Sequence, residues 1–155
     1  MAKSMYRSPY RIFRDKSMLN RKKDWPEALA AEIERVWRLS FSWGDHDCCL
    51  FAANCALVLT GVDLAASFRG YRTRREAMAV LKKFGGVGGV AEAVARTHAV
   101  PEIVPLCARR GDVCLLDAGR GETLGVCVGD WIVCSGFSGL TAFPLLQGIR
   151  AWEIG

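Results

Sequence analysis

Residues 47–60, DCCLFAANCALVLT, are apolar on every side for more than three helical turns and stop at Gly61. A helix with one polar stripe can lie on a surface, but a helix without one has to be enclosed. The chain has 155 residues, enough for a single core in a single domain. Any fold open to it must therefore wrap its other elements around this segment as a buried central helix.

The flanking sequence supplies those elements. In EALAAEIERVWRLSF, Leu29, Ile33, Val36 and Trp37 share one stripe and Pro26 sits in the first turn, which predicts a helix over 26–39. A turn at Ser42-Trp43-Gly44 leads to the central helix. Beyond a loop with Arg69-Gly70-Tyr71, Thr73 stands three residues before Glu76 and reads as a capping box for a helix over 74–84. The run GGVGG at 85–89 lacks the Lys-Ser/Thr ending of a phosphate loop and follows no strand, so it reads as a helix stop and restart before a short helix over 90–97. After Pro105 the texture changes to DVCLLDA, TLGVCVG, DWIVCSG, LTAFPL and IRAWEIG, short β-rich runs parted by Gly or Asp. These predict a meander of four or five strands, and helices followed by antiparallel strands make the class α+β.

Charge divides the chain differently. Residues 1–23 hold eight Lys or Arg against one Asp, whereas the remainder is close to neutral. This separates a basic arm, 1–23, from a domain, 24–155. The arm pairs Arg7, Arg11 and Arg14 with Tyr6, Tyr10 and Phe13. It is too polar to build a core, but it is equipped to dock on an acidic protein surface. Nucleic acid is the less favoured partner. No apolar run reaches the roughly 20 residues that cross a bilayer, and the arm lacks the apolar block of a secretory signal. The seven cysteines are therefore expected as reduced thiols in a cytoplasm. Cys107 and Cys114, like Cys127 and Cys134, are seven apart and no C-x-x-C occurs. No metal or cofactor is expected, although a zinc or iron–sulfur site assembled by the fold stays open.

The chemistry concentrates where the turn meets the central helix, FSWGDHDCCLF. A cysteine at a helix N-terminus has its thiolate stabilised by unpaired backbone N–H groups and the helix dipole. Cys48 is so placed; Cys49 and Cys55 continue into the helix as small core residues.

Trp43-Gly44 with Asp47-Cys48, Gly111-Asp112-Val113, and Leu124-Gly125-Val126 followed by Gly129-Asp130 resemble the NlpC-type papain-like cysteine peptidases. Those enzymes pack a Cys-bearing helix on an antiparallel sheet and cut peptide bonds in peptidoglycan. The span Trp25–Trp152 further resembles an uncharacterised family of phage and prophage tail-module proteins, through the W-G-x-x-D-C turn, Thr60, Gly61 and Asp63, the G-D-V strand and a terminal Ala151-Trp152. The resemblance implies an NlpC-like fold with Cys48 at the nucleophile position. It puts the catalytic base at Thr123, which cannot take a proton from a thiol near neutral pH, and the residue that would orient the base near Cys134. The two histidines are poor substitutes: His46 diverges from Cys48 at its spacing, and His98 precedes the sheet. The expected protein is a structural component of a phage tail tip or baseplate, made in the host cytoplasm and carried in the virion. Its partners are neighbouring tail subunits and its peptidase is degenerate. The alternatives are a tail peptidoglycan endopeptidase with Cys48 as nucleophile and a nucleic-acid binder acting through the arm.

Overall fold

The structure, a computed structural model, describes residues 19–155. Arg7, Arg11, Arg14, Tyr6, Tyr10 and Phe13 lie outside the described residues. Four helices, α1 (Trp25–Val36), α2 (Cys48–Thr60), α3 (Arg74–Phe84) and α4 (Val87–Thr97), precede a six-stranded sheet. Its strands are β1 (Glu102–Ile103), β2 (Val113–Asp117), β3 (Glu122–Cys127), β4 (Trp131–Gly136), β5 (Gly139–Pro144) and β6 (Arg150–Trp152). Every strand pair is antiparallel, in the order β1-β6-β2-β3-β4-β5.

The central segment is enclosed as its composition demands. Eight α2 residues are buried, from Cys49 to Leu59, and they pack on α1 and on β3 and β4. Gly61 ends the helix in the left-handed region at φ 80°. The capping box at Thr73 and Glu76 is formed in full. The main core lies between the helices and the front of the sheet, where Leu115, Leu124, Val126 and Trp152 meet Phe51, Ala52 and Leu59. A smaller one lies behind the sheet, where Cys114, Leu116, Cys127, Ile132 and Cys134 meet Ala108 and Leu145.

Three expectations from the sequence need correction. The first helix ends at Val36 rather than 39, because the next residues exchange hydrogen bonds with the β4–β5 hairpin instead: Leu140 N–H donates to Trp37 C=O at 3.0 Å and Phe41 N–H to Gly136 C=O at 2.9 Å. The fourth helix begins at Val87 rather than 90, since the Glu122 carboxylate accepts from Gly88 N–H at 3.0 Å and stabilises the positive end of an added turn. The last strand does not continue the meander after β5. It crosses behind the sheet and pairs with β2, which buries Ala151 and Trp152, and β1 then adds to its free edge.

The packing boundary also differs from the charge boundary at residue 23. Leu19 is 2% exposed, and Arg21 donates to the carbonyls of Ile154 (2.7 Å) and Arg110 (2.6 Å) and to the Asp112 carboxylate (2.9 Å). Residues 19–23 are therefore packed on the domain. The charge of Arg21 serves that contact, while Lys22 and Lys23 are exposed.

Candidate functional site

The turn before α2 is built around one carboxylate. Asp47, 2% exposed, accepts from Leu50 N–H at 3.0 Å, Gly44 N–H at 3.0 Å and Tyr71 O–H at 2.6 Å. The first of these caps α2. The second closes the turn on itself, and the third ties it to the loop before α3. With three donors on it Asp47 is a structural clamp, and its oxygens are not available as a base for Cys48. Gly44 is required for two reasons: its φ is 75°, and a Cβ there would stand 1.8 Å from the Tyr71 carbonyl oxygen.

The clamp presents Cys48 at the first position of α2, half-buried. β3 and β4 have six residues each but pair at only two positions, Val126 with Val133 and Cys127 with Ile132. A cleft of about 700 Å³ lies over Cys48, and its walls include Thr123, Cys134 and Ser135. The positions to which the resemblance assigned nucleophile, base and orienting residue thus share one cleft. Thr123 fills the base position and lines the cleft together with Cys48.

The thiol is nonetheless activated. The neighbouring Cys49 thiol, and after it the Leu124 amide and the Thr123 hydroxyl, favour the thiolate and against the opposing effect of burial lower the Cys48 pKa to about 7. Neighbouring thiols go the other way. Hydrogen bonding to Cys48 and burial raise Cys49 well above the ordinary thiol value, and burial raises Cys134 to about 12. Of the cysteines around the cleft, Cys48 is the one set up to ionise near neutral pH.

Neither histidine lines the cleft. His46 is 4% exposed, stacked edge-on against Phe51 at 5.8 Å, and its Nε2 has no hydrogen-bond partner. His98 caps the far end of α4. Burial, reinforced by the nearby Arg35, depresses the His46 pKa against the opposing carboxylates of Asp45, Asp47 and Glu32. The folded state therefore holds His46 neutral while the unfolded chain takes up a proton below about pH 6.5. Stability is present above that value and falls as pH drops through it toward the depressed folded pKa. Urea midpoints at pH 7 and pH 5.5 should differ more in the native protein than in His46→Leu; equal differences would contradict this assignment.

Several motif residues prove to be structural. Asp112, fully buried, accepts from Arg21, from Ile154 N–H at 3.0 Å and from Arg109 N–H at 2.8 Å. Thr60 bonds Ala56 C=O and receives Val62 N–H, and Asp63 caps Ala65 and pairs with Arg69 at 2.7 Å, so Thr60-Gly61-x-Asp63 is a helix stop and turn. Trp152 is buried, while Trp37 and Trp131 are each 51% exposed. Among the described residues, no group of three or more His, Cys, Asp or Glu is placed to hold a metal ion. Nor, among them, is any helix long and apolar enough to cross a membrane.

A family model described as Domain of unknown function (DUF6950) matches residues 20–154. The chain belongs to this family. The match begins at the segment that Arg21 pins to Asp112, so the DUF6950 unit takes in the end of the basic segment and runs through the sheet to Ile154. No curated protein matches the sequence.

The sequence did not single out everything that shapes the DUF6950 cleft. Tyr71, Arg74, Met78, Arg120 and Phe137 also line it, brought there from the loop before α3, from α3 itself and from the turns flanking β3 and β4. The one signal available was the Arg69-Gly70-Tyr71 loop, whose tyrosine reaches back to Asp47.

Proposed function

We propose that this protein is a non-hydrolytic, structural component of a phage tail tip or baseplate, built on an NlpC-like fold whose peptidase machinery is incomplete. The observation that carries the non-hydrolytic part is the pairing of Cys48 with Thr123 in a cleft that no described histidine lines. Cleavage of an amide needs a group that takes the proton from the thiol and returns it to the departing amine. A threonine hydroxyl does neither near neutral pH. The setting rests on the likeness of the Trp25–Trp152 span to phage and prophage tail-module proteins, and the basic segment 1–18, with Arg7, Arg11, Arg14, Tyr6, Tyr10 and Phe13, is the proposed contact with neighbouring tail subunits.

Mass spectrometry of purified particles tests the setting. The protein should co-purify with intact tails and leave them only on dissociation. Deleting residues 1–18 should lower its incorporation, most strongly at raised salt where the remaining attraction is screened. Complete absence from particles would remove the tail assignment.

The lowered pKa of Cys48 favours a second reading, that the thiol has chemistry of its own.

A further inference from the structure

The cleft over Cys48 is not an empty remnant. At about 700 Å³ it has the size of a small-molecule site. Much of its wall is apolar, with Phe41, Trp43, Tyr71, Met78 and Phe137. Two cations line it from different sides: Arg74 at the start of α3, and Arg120 in the β2–β3 turn, whose guanidinium lies 4.6 Å over the Phe137 ring. Neither is ion-paired with any described carboxylate. The carboxylates on the same wall are engaged elsewhere, Asp47 by its three donors and Glu122 by the amide at the start of α4. The cleft therefore combines apolar surface, uncompensated positive charge and one nucleophilic sulfur.

We propose that this cleft takes an acyl thioester with an anionic head group, and that Cys48 accepts the acyl chain from it. The inference rests on the reading of Cys48 as a thiol without a base, and it follows from what such a thiol can still do. The Cys48 thiolate attacks the thioester carbonyl carbon and a new carbon–sulfur bond forms. The bond to the donor sulfur breaks, and its electron pair leaves with that sulfur as a thiolate. No proton has to be delivered and nothing is oxidised or reduced. An amide differs because its nitrogen must be protonated before it leaves, the step for which Thr123 is unsuited. Aromatic and methionine side chains suit the acyl chain, and Arg74 with Arg120 suit the anionic head. With a pKa of about 7 a large share of Cys48 is thiolate at neutral pH. After allowing for the lower nucleophilicity of a more acidic thiol, this leaves roughly a five-fold rate advantage over an ordinary thiol.

The test uses the full chain with two donors, octanoyl-coenzyme A, which is anionic, and the neutral S-octanoyl-N-acetylcysteamine. Intact-mass and peptide-mapping spectrometry give the rate at each cysteine, and the exposed Cys107 is the internal reference. Cys48 should gain one octanoyl group at least about five-fold faster than Cys107. Cys48→Ser should lose that adduct and keep the slow one. The double variant Arg74→Ala/Arg120→Ala changes only exposed side chains. It should slow the coenzyme A thioester about five-fold more than it slows the neutral donor. Acylation of Cys48 no faster than of Cys107, or a fast reaction indifferent to donor charge and to the arginine variant, overturns the proposal. The absence of an adduct without any peptide cleavage would count against this inference alone, whereas Cys48-dependent peptide cleavage would count against the non-hydrolytic reading beneath it.

Discussion

Replacing Asp112 with Ala should lower stability by about 3–5 kcal/mol, the cost of stranding one member of a buried ion pair. Asp112 is 0% exposed and the Arg21 side chain 10%. Removing the carboxylate leaves that guanidinium without its partner in a shielded position and strips the acceptor from the amides of Ile154 and Arg109. For a domain of this size the loss corresponds to a melting temperature lower by about 10–15 °C. Asp112→Asn retains one carbonyl oxygen and should cost distinctly less. Thermal unfolding of the three proteins checks the order. If Asp112→Ala melts within a few degrees of the native chain, the carboxylate is not what holds residues 19–23 and the C-terminal residues to the sheet.

The second large effect is at the turn that presents Cys48. Gly44→Ala asks an L-residue to adopt φ 75° and puts a methyl group 1.8 Å from a backbone oxygen of Tyr71. The backbone conformation alone costs about 1–2 kcal/mol, and relieving the overlap costs about 1–3 kcal/mol more. The variant should melt about 6–15 °C lower. Because the same movement breaks the Tyr71–Asp47 hydrogen bond, reactivity of Cys48 toward a small alkylating agent should change along with stability. A Gly44→Ala protein with native stability and unaltered Cys48 reactivity would show that the turn is not the rigid clamp described here.

These two positions show what the sequence could and could not reveal. Gly44, Asp47, Cys48 and Asp112 stood out as motif residues, and a central helix was required by a run with no polar side. Local physics made these legible, since caps, turns and periodicity act within a few residues. Cys48 and Thr123 are placed together by the resemblance to NlpC-type peptidases, which assigns them the nucleophile and base positions. The partners of the motif residues were not readable. Tyr71 reaches Asp47 from 24 residues away and Arg21 reaches Asp112 from 91, and nothing in composition marks either pairing. Glu122 shows the same limit. It precedes the run TLGVCVG with nothing to mark it, yet it lengthens α4 by binding an amide 34 positions earlier. The lowered pKa of Cys48 depends on Leu124 and Thr123 from β3 as well as on the adjacent Cys49. Only the folded sheet brings those two residues to the start of α2.

The claim at the centre of this account is that Cys48 is a poised thiol without the base that peptide hydrolysis needs. Incubating purified peptidoglycan and its isolated stem peptides with the native chain and with Cys48→Ala, then counting newly released amino termini, tests it most directly. Release by the native chain should be indistinguishable from release by Cys48→Ala across neutral pH. Sustained multiple turnover by the native chain, abolished in Cys48→Ala, would contradict the claim and make this cleft a working peptidase.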